Sequence, residues 1–244
     1  MNNAEVFSHY ENHLAPYYTE ICGGFDFKCA EQTAFFEKYR IVPAITSVAV
    51  DLGSGSGFQS VPLANKGFSV YAVDFSPILL KELNENAHDL DIKMIESDIC
   101  NYASYAGLNP ELIVCMGDTL THLAGTEEAE LLIKNAYSEL TAGGKLVLSF
   151  RDYSNPLTGA GRFIPVYSGE NYIFTCFLEY SEDSVNVYDI VHERIESSWV
   201  QKISTYKKTI IRKDFIEKAL IDLNFKIELF SVVKGLIAVI AVKN

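Results

Sequence analysis

The stretch Val48-Ala49-Val50-Asp51-Leu52-Gly53-Ser54-Gly55-Ser56-Gly57 limits what this chain can fold into more than any other. A short apolar run suits a buried strand. Three glycines at alternate positions suit a sharp turn in which Cβ atoms would be in the way. Phe58 to Asn65 then reads as a helix, with Pro62 tolerated because it falls near the first turn. A strand that turns on glycine straight into a helix leaves N–H groups free at the helix start, ready for a polar or anionic group. The stretch therefore predicts a site for a nucleotide-like ligand.

The next hundred or so residues repeat this alternation. Ser69 to Val73 is a strand candidate ending at Asp74, and Ser76-Pro77 supplies an N-cap with proline at the first helical position. Leu79, Leu80, Leu83 and Ala87 form one face of that helix. Ile92 to Ile95 is a third strand, closed by Glu96-Ser97-Asp98, and the unbroken Leu112 to Met116 suits a strand covered on both faces. Thr126 starts a helix with the face Ala129, Leu132, Ile133, Ala136, Tyr137 and Leu140, which Gly143-Gly144 is expected to end before a fifth strand, Lys145 to Phe150. Strands and helices in alternation predict an α/β fold, a mostly parallel sheet with helices on both faces.

The flanks follow other periods. Residues 1–40 read as a helical, aromatic cap interrupted at Pro16 and at Gly23-Gly24, with the helix resuming at Ala30. After Asp152 a loop runs to Gly161, and the period then shortens towards two in three runs, Tyr172 to Phe177, Val185 to Val191 and Trp199 to Ile203. That pattern predicts an antiparallel β insertion over 155–210. A helix carrying Phe215, Ile216, Ala219, Leu220 and Leu223 follows, and two strands joined at Lys234-Gly235 close the chain as a hairpin.

Composition removes several classes of partner. With 20 Lys and Arg against 32 Asp and Glu, the net charge is -12 and no basic run exceeds a pair, so neither nucleic acid nor an anionic membrane surface is expected. Leu236 to Val242 is too short to cross a bilayer. Five cysteines without a Cys-x-x-Cys pair, behind an amino terminus with no secretion pattern, predict a reduced, cytoplasmic protein. His9 and His13 share a helix face, but their spacing lacks the glutamate placement of a metalloprotease, and no metal is expected.

The glycine spacing separates the nucleotide classes. A dinucleotide fingerprint would put its third glycine at Phe58, and there is no Gly-Lys-Ser/Thr phosphate loop. From Val48 to the carboxyl terminus the chain resembles the class I S-adenosylmethionine-dependent methyltransferases. The resemblance rests on Val48 to Gly57, on Asp74 ending the second strand, on Asp98-Ile99 after the third and on the terminal hairpin. It implies a Rossmann-like sheet of seven strands with a C-terminal antiparallel hairpin, divided as 41–154 with 211–244, with 1–40 as cap and 155–210 as a lid over the acceptor. It also implies S-adenosyl-L-methionine as cofactor and, with the acidic charge, a small-molecule acceptor for a monomer or homodimer. Under it Asp74 accepts from the ribose hydroxyls and Asp98 from the adenine amino group, between Ile99 and Phe75. Gly53, Gly55, Gly57, Met116 and Gly117 wall the donor, Asp51 orients its ammonium, and Tyr18 closes over it.

Methyl transfer from a sulfonium is an in-line displacement in which the donor carries the chemistry and the protein supplies alignment. An obvious catalytic side chain is therefore not required. The segment Gly117 to Leu123 falls where such enzymes place acceptor-side groups, which makes Asp118 and His122 candidates to orient the acceptor or take its proton. Arg151, at the end of the fifth strand, is a candidate for an acidic acceptor, and Arg162, Tyr172, Arg194 and Trp199 are candidates to reach the pocket from the insertion. Two other readings fit the same donor residues: a module that holds S-adenosylmethionine or S-adenosylhomocysteine without turnover, and a nicotinamide-dependent oxidoreductase, which Phe58 disfavours.

Overall fold

A computed structural model describes residues 2–244; Met1, which opens the expected cap, lies outside the described residues. The expected α/β core is present. Strands β1 (Val48–Leu52), β2 (Ser69–Asp74), β3 (Ile92–Glu96), β4 (Leu112–Cys115) and β5 (Lys145–Phe150) run parallel. With them alternate α4 (Ser60–Asn65), α5 (Pro77–Ala87) and α6 (Thr126–Glu139). The antiparallel hairpin of β10 (Phe225–Val233) and β11 (Leu236–Lys243) completes seven strands in the order β10-β11-β5-β4-β1-β2-β3.

Alternation within the strands sends side chains to two apolar layers. Val50, Leu52, Ile113 and Leu146 meet Leu132, Ile133 and Ala136 of α6 with Ile216 and Leu220 of α7 (Lys213–Asp222). Ala49, Val70, Ala72 and Val114 meet Leu63, Leu80, Leu83 and Phe36 on the other face. The buried Glu111, just ahead of β4, accepts the backbone N–H groups of Ala44, Ile45 and Ser47 and so fixes the entry into β1.

The flanks differ from expectation in detail. Pro16 does not interrupt the first helix: α1 (Asn2–His9), a π-helical turn (Tyr10–Leu14) and α2 (Ala15–Ile21) run on, and Pro16 falls in the first turn of α2, directly after the π-helical turn. The next helix, α3 (Phe25–Lys38), starts at Phe25 rather than Ala30, because Gly24 at φ +93° ends one helix and opens the next. Helix α6 stops before Gly143-Gly144, which shape the turn into β5 instead.

The insertion has four strands rather than three: β6 (Phe163–Ser168), β7 (Tyr172–Tyr180), β8 (Ser184–Ile195) and β9 (Ser198–Thr209), antiparallel in that order. Pro165 hid β6 from the periodicity. It is accommodated on an edge strand with a register shift beside it. The inner face of this second sheet packs on the N-terminal helices, with Leu178, Val185, Val187 and Tyr206 around Val6, and Phe174 and Val191 around Leu14.

Candidate active site

Two adjoining cavities lie at the carboxyl ends of the parallel strands, where open α/β sheets place their ligands. The smaller, of about 60 Å³, is lined by Gly53, Gly55, Asp74, Phe75, Asp98, Ile99, Tyr18 and the N-terminal Val6 and Tyr10. The larger, of about 670 Å³, opens between the larger sheet, the N-terminal helices and the inner face of the second sheet. Tyr10, Tyr18, Gly53, Thr119 and His122 border both.

The glycine turn is built by close approach. Gly53 and Ser54 donate to the carbonyl of Val73, which ties the turn to β2. All three glycines have positive φ, +80° at Gly53, +51° at Gly55 and +96° at Gly57. A Cβ on Gly53 would come within 2.4 Å of the Thr119 methyl, and one on Gly57 within 2.3 Å of Leu83. Gly53 and Gly55 thus face the cavities, whereas Gly57 lines neither and lets α5 pack beneath the turn.

Asp74 ends β2 with one carboxylate oxygen 2.7 Å from Gly55 N and the other 2.9 Å from Ser76 N. Ser76 caps α5 by accepting from Leu79 N, so Asp74 is left for the cavity. Burial pushes its carboxyl up, against the pull of these N–H groups. Asp98, whose Oδ1 accepts from Cys100 N, and Ile99 stand across the smaller cavity. Asp51 lies beneath the turn and lines neither cavity. It is 1% exposed, accepts from Ser60 Oγ at 2.6 Å, and burial raises its carboxyl to about 7. Its other oxygen and the Ser54 hydroxyl have no partner among the described residues. Ser54 lines the larger cavity beside Gly53, Met116 and Gly117, so a polar ligand group would satisfy it.

The N-terminal helices close over the smaller cavity. The Tyr10 ring meets Phe75 edge-on at 5.6 Å and Tyr18 stacks on Phe58 at 5.7 Å. Tyr10 Oη sits 3.4 Å from His122 Nε2, and the His122 ring stacks on Tyr206 at 5.4 Å. Burial, reinforced by the nearby Lys208 ammonium, lowers the imidazole to about 3, so His122 is neutral near pH 7.

Asp118 is fully engaged. Its Oδ1 accepts Arg151 N at 2.9 Å; its Oδ2 accepts Tyr153 Oη at 2.9 Å and Lys208 Nζ at 2.5 Å. Burial alone would raise this carboxyl, but Lys208 and these hydrogen bonds hold it below the usual carboxylate range. Asp118 is therefore ionised near pH 7. Arg151 lines the same cavity from the end of β5.

Of the insertion residues expected near the pocket, Arg162, Tyr172, Arg194 and Trp199 line neither cavity. Arg162 covers the Phe177 ring, Tyr172 donates to Glu20, and Arg194 and Trp199 are exposed at the β8–β9 tip. The second sheet contributes Cys176, Asp189, Tyr206 and Lys208 instead. His9 and His13 serve this sheet: His9 Nε2 lies 2.9 Å from Asp189 Oδ2 and His13 Nε2 3.1 Å from the Asp189 carbonyl. Among the described residues no group of three or more His, Cys, Asp or Glu could hold a metal ion. All five cysteines are free, and no helix of the described residues is long and apolar enough to cross a membrane.

Residues 49–144 match the family described as "Methyltransferase domain". Glycine/sarcosine N-methyltransferase of Aphanothece halophytica is 31% identical over 106 residues, which are 43% of this chain and 40% of that protein. Glycine N-methyltransferase of Homo sapiens is 28% identical over 124 residues, 45% of this chain and 42% of that protein. The chain thus spans about two-fifths of the length of the curated relatives it matches. The fold is similar to a solved S-adenosylmethionine-dependent methyltransferase from Clostridium acetobutylicum ATCC 824, with a TM-score of 0.69 and 17% identity over 98% of this chain and 97% of that one. It is also similar to Streptomyces venezuelae DesVI, with a TM-score of 0.73 and 15% identity over 100% and 99%.

Proposed function

With a class I S-adenosylmethionine-dependent methyltransferase domain in its larger sheet as the starting point, we propose that this protein methylates the nitrogen of a small amine. The observation that carries the nitrogen assignment is the state of the two titratable groups beside the methyl path. His122 borders both cavities and is held neutral at about 3, and Asp118 is pinned by Lys208. Neither is poised to take a proton from a hydroxyl acceptor near pH 7. A neutral amine brings its own lone pair and needs no base. The names of the curated relatives, all N-methyltransferases, agree.

In this reading S-adenosylmethionine, when bound, supplies an activated methyl on a sulfonium. Asp74 accepts from the ribose hydroxyls with the lone pairs that Gly55 and Ser76 leave open. Asp98, Ile99 and Phe75 hold the adenine, and Gly53, Ser54, Met116 and Gly117 hold the methionine half. Tyr10 Oη and His122 Nε2 take N–H groups of the acceptor and turn its lone pair towards the border between the cavities. Holding two groups in line in this way is worth up to roughly 7–11 kcal/mol of barrier. Residues 41–154 and 211–244 form the donor domain, 1–40 the cap and 155–210 the lid. The protein acts in the cytoplasm as a monomer or homodimer.

Transfer of labelled methyl from S-adenosylmethionine to a panel of primary and secondary amines and matched alcohols tests the proposal. Labelled amines are expected and labelled alcohols are not. Alcohol methylation would overturn the nitrogen assignment. Tight donor binding with no methylated product would favour a binding module, and selective NAD(H) binding over S-adenosylhomocysteine would replace the reading altogether.

A further inference from the structure

The larger cavity holds a cation that neither donor binding nor methyl alignment uses. Lys208, in β9, is 7% exposed and lines the cavity. Its ammonium has three N–H donors. Among the described residues its one hydrogen-bond acceptor is Asp118 Oδ2, while the Tyr153 and Tyr206 rings stand 5.7 and 5.8 Å from Nζ. Buried polar hydrogens are almost always satisfied, so two N–H groups remain for a molecule in the cavity.

The surroundings favour an anion there. The three carboxylates on the wall are occupied: Asp118 by Lys208, Tyr153 and Arg151 N, Asp189 by His9 and Cys176, and Glu31 by Lys28 and Lys234. The Arg151 guanidinium has no carboxylate partner among the described residues. Lys208 and Arg151 both line this cavity, which places the two cations around one chamber. The cavity, about 670 Å³, falls in the range that encloses drug-sized ligands and exceeds what a glycine-sized amine fills, even with half of a donor inside it.

We propose that Lys208, pinned by Asp118 beside the Tyr153 ring, binds an anionic oxygen group of the acceptor, a carboxylate or a phosphate carried at a distance from the methylated nitrogen. The word acceptor rests on the methyl-transfer reading; the anion site does not. Lys208 is the specificity residue, and Asp118 is a positioning residue that fixes the ammonium in the wall.

The test is a titration of the whole chain with acetate and, separately, inorganic phosphate at constant ionic strength, with and without S-adenosylhomocysteine. Lysine side-chain ammonium NMR and calorimetry follow it. A saturable shift of the Lys208 ammonium is expected. Affinity should drop about ten- to hundredfold in Lys208→Met and recover in part in Lys208→Arg. Tighter acetate assigns a carboxylate, and tighter phosphate a phosphate. Lys208→Met leaves a buried carboxylate unpaired, so the Lys208→Met/Asp118→Asn pair is measured beside it, with melting temperatures for all variants. The absence of a saturable shift in the unsubstituted chain, or equal anion affinity in folded variants lacking the ammonium, overturns the proposal. Anion binding without S-adenosylhomocysteine binding would leave the anion site standing and sink the donor reading; the reverse result sinks the site alone.

Discussion

The proposed donor and acceptor sides of this protein are built on different principles. The donor side is made of backbone: glycines at positive φ, strand ends and helix starts, with Asp74 held by two N–H groups from within two dozen residues of itself. The acceptor side is made of side chains that meet only after folding. Tyr10, His122, Tyr153 and Lys208 come from four separate elements and touch through Asp118 or through one another's rings. A backbone site tolerates little change and keeps its ligand, while a side-chain site is free to change its ligand. The comparison implies that substitutions in the turn cost more than substitutions around the acceptor.

Gly57→Ala puts that to its hardest test. The new methyl would need an unfavoured φ of +96° and would meet Leu83 at 2.3 Å. Left-handed backbone costs roughly 1–2 kcal/mol and overpacking roughly 1–3, so a loss of about 2–5 kcal/mol in urea unfolding is expected. Wild-type stability would show that the turn has slack, and the contrast between the two sides would fail at its strongest point. Asp74→Ala comes next. It should weaken S-adenosylhomocysteine binding by about tenfold to several hundredfold, the worth of charge-assisted ribose bonds. Unchanged affinity by calorimetry would remove Asp74 from the donor site.

The same contrast explains what could be read from sequence. The parallel strands, Ser76 as cap, Asp74 and Asp98 at strand ends and the Lys234-Gly235 hairpin each leave a local mark, because each satisfies a backbone requirement within a few residues. Lys208 leaves none. It sits in a period-two run, where alternation tells inside from outside but not which inside residue meets Asp118, 90 positions away in sequence. Arg162 and Trp199 look as suitable by type, but Arg162 lies in the turn ahead of β6 and the β8–β9 register puts Trp199 at the tip. The edge strand around Pro165 and the helix start at Phe25 were hidden for local reasons: a proline and a register shift break the alternation in the first, and Gly24 at φ +93° opens the second.

Asp51 gives a third, smaller effect on the donor side. In the free protein its carboxyl titrates near 7, against an ordinary value of 3.8. Between those values the folded state holds the extra proton, so this group's contribution to stability decreases as pH rises through the window. Asp51 lines neither cavity, but one of its oxygens has no partner among the described residues. A donor ammonium near the turn would favour the ionised carboxylate, so donor binding below pH 7 would expel a proton. Affinity should weaken by about tenfold per pH unit below 7, and Asp51→Asn should flatten the dependence. Calorimetry in buffers of different ionisation enthalpy measures the released proton. Binding that is independent of pH from 5 to 8 would make Asp51 a structural carboxylate tied to Ser60.

The smallest effect is expected at the border of the two cavities, and it decides whether the acceptor side aligns or reacts. Tyr10→Phe removes one hydroxyl, at 3.4 Å from His122 Nε2, and keeps the ring against Phe75. If Tyr10 only orients the acceptor, kcat should drop by about two- to tenfold, the worth of one ordinary hydrogen bond, with donor affinity unchanged. His122 is neutral throughout the working range, so the kcat profile should show no inflection near 6.5 in either protein. A loss of a thousandfold or more, or a new inflection in the variant, would mean that the pair moves a proton. The acceptor would then arrive charged, and the acceptor side would be as exacting as the donor side.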